Sequence, residues 1–154
     1  MLDLIEGAKI MNGYVPTDAS TDAGYADWIN MEGMHSIWAL VSCGSTGTTG
    51  VEFAGFVSDS YAGATPIRAT CQYWHSTGVA IDRMVASTQT TGLNAGDGVG
   101  SVMAIRFDPA SRSGSSQQYF SVARTAGDAH ATIIYVGQPR YGGLGQILAT
   151  SSST

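Results

Sequence analysis

The 154-residue chain is poor in charge. Only 12% of its residues are Asp, Glu, Lys or Arg, against about a quarter in an average globular protein. It has a single lysine, Lys9, and its arginines (Arg68, Arg83, Arg106, Arg112, Arg124 and Arg140) are scattered singly through a chain of net charge −5. Counterion-releasing nucleic-acid binding needs clustered cations, so a nucleic-acid-binding module is excluded. Long apolar runs are also missing. The longest, Ile133-Ile134-Tyr135-Val136, is far too short to cross a bilayer as a helix, and no membrane is expected as a partner. The opening MLDLIEGAK has neither a basic n-region nor an apolar h-region, so synthesis without Sec export is expected. With no such signal, the only two cysteines, Cys43 and Cys71, are expected to be reduced and to act as small hydrophobes.

What replaces charge is Gly, Ser and Thr, about a third of the chain. These residues disfavour helix interiors. Hydrophobic residues at 44% are nevertheless enough for a core. The apolar pattern is that of short strands. A first strand is expected near Ala8–Val15, after an apolar arm. Met34–Cys43 carries apolar residues on both parities: Ile37, Ala39 and Val41 on one, Met34, Trp38 and Leu40 on the other. This predicts a central strand covered on both faces, with Trp38 buried and His35 a core or interface histidine.

Val51–Ser58 alternates as a half-buried strand, with Phe56 breaking its polar row. Ile67–Trp74 alternates more cleanly: Ile67, Ala69, Cys71 and Tyr73 face in, and Trp74 faces out. Further strands are expected over 81–91, 101–107, 119–124 and 131–137, the last two joined through Thr125–Asp128 as a hairpin. Gly44–Gly50, GSTGTTG, reads as a hairpin loop. Seven to nine strands without an amphipathic helix predict an all-β, single-domain β-sandwich or jelly roll over 8–141. It is flanked by an N-terminal arm at 1–7 and a C-terminal tail at 142–154.

Chemistry-bearing patterns are few. No G-x-S-x-G elbow selects one of the 17 serines as a nucleophile for His35, His75 or His130, so a hydrolase is not expected and no catalytic residue is assigned. The cysteines and histidines lie far from zinc-ligand spacing. Asn94–Gly98 offers two side-chain oxygens, too few for calcium, and GSTGTTG lacks the Lys-Ser/Thr of a phosphate loop. No metal and no cofactor is expected. Trp28, Trp74 and Tyr141 could stack on sugars, but subunit contact is the preferred role.

A longer pattern runs across the chain. It begins at Val15-Pro16, passes a polar turn, and reaches Tyr25–Val41, YADWINMEGMHSIWALV. A Gly/Thr loop then leads to Val51-Glu52-Phe53, and an acidic turn falls at Asp59. Arg106-Phe107-Asp108-Pro109 ends a late strand, Tyr119–Val122 follows, and Ile133–Val136 precedes Pro139-Arg140-Tyr141. Over residues 8–142 this order resembles the auxiliary capsid proteins of tailed bacteriophages, also called head decoration or cement proteins. The resemblance implies a non-enzymatic β-sandwich, made in the host cytoplasm, that forms homotrimers and binds the major capsid protein on the outer surface of the virion. Contacts with shell or sister subunits are expected from the apolar arm (Leu2, Leu4, Ile5), from Trp28 and Trp74, and from the tail (Tyr141, Leu144, Ile147, with Leu148). The alternative is a glycan-binding β-sandwich of a virion fibre or secreted protein, with Trp74 and Tyr141 as stacking platforms.

Overall fold

The computed structural model describes residues 8–18, 24–45, 51–63, 65–77, 80–89, 93–94, 101–112, 114–127 and 129–140. Among these residues eleven strands form in chain order: β1 (Lys9–Asp18), β2 (Ile29–Asn30), β3 (Met34–Ser45), β4 (Glu52–Ser58), β5 (Ile67–Arg68), β6 (Cys71–Thr77), β7 (Ala80–Gln89), β8 (Leu93–Asn94), β9 (Ser101–Phe107), β10 (Tyr119–Ala126) and β11 (Ala129–Pro139). The only helical element among the described residues is a 3₁₀ turn at Pro109–Ser111, started by Asp108, whose carboxylate accepts from the Ala110 N–H. The all-β sandwich expected from the alternation is what forms.

The strands make two antiparallel sheets. The larger runs β1-β11-β3-β9-β6-β7 and the smaller β2-β10-β4-β5, with β8 also on β4. Set aside the β6–β7 hairpin and β8, and number the other eight strands in order along the chain. The sheets then read 1-8-3-6 and 2-7-4-5. That is the wrapping of a jelly roll, here widened at one edge by an inserted hairpin.

This topology corrects two expected hairpins. Residues 125–128 do not join paired strands, because β10 lies in the small sheet and β11 in the large one. The same holds for 44–50, between β3 and β4. Glycine-rich sequence marks where a chain turns, but the partner of the next strand is chosen by the core. At Gly127 the turn needs a left-handed backbone (φ 76°), and the Arg124 guanidinium donates to its carbonyl. Ile67–Trp74 is corrected likewise. It is two strands, β5 in the small sheet and β6 in the large, and the chain changes layer at Ala69-Thr70. Ala69, Cys71 and Tyr73 point inward as expected, but Ile67, on the far side of the bend, is exposed.

Between the sheets lies one apolar core. The large sheet contributes Ile37, Ala39, Val41, Tyr73, Met103, Ile105, Phe107, Ile133 and Tyr135, and the small sheet Phe53, Val57, Phe120 and Val122. Phe107 and Phe120 stack across the gap at 5.0 Å. Two buried phenols cross it as well: Tyr73 Oη accepts the Gly55 N–H (3.3 Å) and Tyr135 Oη the Val122 N–H (3.0 Å). Gly55 is required there, since a Cβ would fall 2.5 Å from Cys71 Sγ.

Both cysteines are free and buried. Cys43 pairs with Ser101 and Gln72 with Arg106, both on β9. Cys71, one residue before Gln72, is therefore level with Phe107, and six residues of strand, roughly 20 Å, separate the two cysteine positions along the sheet, beyond the roughly 7 Å Cα span of a disulfide. Burial pushes the Cys43 thiol up to about 11 and Cys71 up to about 12.

Candidate functional site: the two outer faces of the sandwich

The outer face of the small sheet is closed by its own chain. Ala54, Phe56 and Ala123 point outward yet are buried as a second small cluster, with Trp28 packed on them. The cover is the side chains of Tyr25 and Trp28, from a segment that runs beside β10 at the edge of the sheet. Tyr25 bridges to Ala123, Ala26 N–H donates to Val122 O, and Ser121 Oγ donates to Ala26 O at 2.7 Å. Tyr25 meets Phe56 edge-on at 5.0 Å and Trp28 at 5.2 Å, while the Arg68 guanidinium lies over Phe56 at 5.5 Å. The loop after β4 presses its backbone on the indole: at Gly63 (φ 63°) a Cβ would fall 2.5 Å from Trp28 Nε1. Trp28, an expected contact residue, is thus half-buried against its own fold. β4 is covered on both faces, a correction to the half-buried strand expected from its alternation.

The outer face of the large sheet differs. The inward row of β3 (Ile37, Ala39, Val41, Cys43) is buried, but its outward row is Trp38, half-buried, Leu40, 42% exposed, and Ser42. The two-sided coverage expected of β3 is therefore corrected: no described residue lies over this row as a second layer. Trp38 sits on the surface rather than in the core. His35, beside an irregularity in the β3–β11 register, is exposed.

The register aligns this surface into rows across the strands. One row is Ile10, Val136, Trp38, Arg106 and Gln72; the next is Asn12, Ile134, Leu40, Ala104, Trp74 and Ala86. Ile10 is 53% exposed and Ile134 39%. Trp38 and Trp74 come from strands separated by β9. Small Ala104 between them lets the indoles stack, at 5.0 Å and 29°. Arg106 completes the group, with its guanidinium 5.8 Å from the Trp38 ring centroid and donating to Gln72 Oε1 at 2.9 Å. It is the only charge in the two rows. Trp74 therefore faces out as its strand parity predicted. Its partner Trp38, Arg106, Leu40 and Ile134 were not expected contact residues. Their signal was the second apolar row of β3, read as core when it is surface.

A second feature lies at one end of the sandwich, a 330 Å³ cleft whose rim carries Glu32, Arg112 and Arg140 over buried Met31 and Pro109. Among the described residues no group of three or more His, Cys, Asp or Glu side chains is placed to hold a metal ion. The other expected contacts, Leu2, Leu4, Ile5, Tyr141, Leu144, Ile147 and Leu148, lie outside the described residues.

The fold defines a jelly-roll sandwich with one outer face covered by its own chain and one apolar outer face that no described residue covers. No protein-family model, no curated protein and no solved structure matches the chain.

Proposed function

We propose that this chain is a non-enzymatic structural protein of a phage virion, which decorates the outside of the capsid as a homotrimer and stabilises it. The observation that carries the reading is the outer face of the large sheet: two stacked tryptophans and three exposed aliphatic side chains in two rows that hold one charge. A contiguous apolar patch of that size is the mark of an interaction surface. Aromatic residues and Arg are enriched in protein interfaces while Lys, Glu and Asp are depleted, and that is the composition of this face. The face is the kind of contact a homotrimer requires, and the sequence pattern over residues 8–142 supplies the shell as the target of that assembly. A trimer that touches several shell subunits at once multiplies weak contacts through effective concentration, by about 10²–10⁴ in affinity.

The glycan-binding alternative has one observation in its favour, an exposed tryptophan pair beside Gln72 and Arg106. The same geometry weakens it at Trp38, which already has one indole stacked on it and a guanidinium over it, and leaves Trp74 with one face already taken by Trp38. The test is addition of the purified protein to shells that lack it, followed by imaging. Saturable density on the outer surface, with a raised temperature of shell disruption, is the expected result. Absence of binding at high micromolar concentration, with a positive glycan array, would overturn the reading in favour of the alternative.

A further inference from the structure

We infer that the open face of the large sheet is where copies of this chain meet each other, turned toward the common axis of the assembly rather than toward the shell. The inference rests on the homotrimer reading above and assigns its subunit contact. Three observations carry it.

The first is area. Six strands spaced about 4.8 Å apart make a face about 24 Å wide, and three outward-pointing rows, the two above and a third of Thr132, Ser42 and Val102, extend with their side chains about 20 Å along the strands. Each copy thus offers on the order of 500 Å², and three copies turned to one axis bury on the order of 1,500 Å² in all, each face shared between its two neighbours.

The second is charge. The two central rows hold no acid and no lysine, and their one cation, Arg106, is already occupied by Gln72 and the Trp38 ring. The face therefore asks for a neutral, apolar counterpart, and a second copy brings one by construction. A charged partner would find nothing to pair with.

The third is contrast within the molecule. The corresponding face of the small sheet is closed by the side chains of Tyr25 and Trp28 of the same chain, which pack on the cluster of Phe56 and Ala54. No described segment does this for Trp38, Leu40 and Ile134.

Leu40 and Ile134 are opposite each other in the β3–β11 register. Replacing them together by Leu40→Lys and Ile134→Glu makes a cross-strand pair of opposite charge, which a solvated sheet tolerates. Burying that pair between copies carries a desolvation penalty. The experiment is sedimentation velocity of the full chain over a concentration series. Wild type is expected to assemble. The double variant is expected to be a folded monomer by circular dichroism, with assembly weakened by at least about 100-fold. Tyr61→Lys, on the other side of the sandwich, should assemble like wild type.

A milder variant covers the case in which the double variant fails to fold. Leu40→Cys should react with a bulky maleimide only as the monomer, and labelled protein should no longer assemble. Unchanged assembly of the double variant, or of labelled Leu40→Cys, overturns the inference. So does a wild type that stays monomeric yet coats shells, an outcome that leaves the decoration role standing. Wild type that assembles through this face but ignores shells keeps the inference and removes the decoration role.

Discussion

On β4 the outward row is Ala54, Phe56 and Ser58; on β3 it is Trp38, Leu40 and Ser42. Each row has two apolar residues and a serine, and the row with the tryptophan is the more hydrophobic. Yet Ala54, Phe56 and Ser58 are all buried, while Leu40 is exposed and Trp38 half-exposed. Local composition therefore does not decide burial here. The difference comes from what the rest of the chain lays on top: Tyr25 and Trp28 in one case, no described residue in the other.

Substitutions can sharpen or break that comparison. The largest effect is expected at Phe56. Phe56→Ala removes a ring packed against Tyr25 and Arg68 and should cost about 3–4 kcal/mol in chemical denaturation, as for a core aromatic. A loss below about 1 kcal/mol would mean that the strip over the small sheet does not seal it.

The core shared by both faces supplies the next test, alkaline pH. Burial raises the Cys43 and Cys71 thiols to about 11 and 12 and raises the Tyr73 and Tyr135 phenols as well. The folded state thus holds these protons more tightly than the unfolded state. The stability this contributes is full below the unfolded thiol pKa, about 8.5, and is lost as pH rises toward the folded values. Stability should be level from pH 6 to 8 and then fall, each buried thiol contributing up to about 1.4 kcal/mol per pH unit. Melting temperatures that stay level up to pH 11 would contradict the burial of both cysteines.

Trp38→Ala should cost the isolated subunit only about 1–1.5 kcal/mol, the scale of a surface aromatic pair with Trp74. A cost of 3 kcal/mol or more, measured where the protein is monomeric, would restore Trp38 to the core. Smallest of all, Leu40→Thr should change monomer stability by less than about 1 kcal/mol, since the residue is already 42% exposed.

Much of the architecture was legible in the sequence. Period-two alternation placed Ile37, Ala39 and Val41 inward, and likewise Cys71 and Tyr73, because the pleat leaves each residue only two faces. The same alternation is silent on whether the other face is covered, since the cover comes from residues far away in sequence. Phe56 in a polar row was the local hint of a lid, and its meaning depended on Tyr25 and Trp28, thirty residues earlier. The sheet changes at 44–50, at 69–70 and at 125–128 were hidden for a related reason. A turn motif encodes reversal, whereas pairing is settled by competition among all strands. Of the expected contact residues, Trp28 was found packed on its own sheet and Trp74 within the open face.

The phenols of Tyr73 and Tyr135 have a mechanical meaning. They spring from one sheet and accept hydrogen bonds from Gly55 and Val122, which are register partners on adjacent strands of the other. Apolar contact alone resists separation of two sheets but is tolerant of sliding, because one methyl group can replace another. A directional bond is not tolerant: a slip of one residue along the strand, about 3.4 Å, breaks it and strands a buried N–H. Two such bonds side by side act as rivets against shear, so a tangential load on one layer is passed to the other without relative motion.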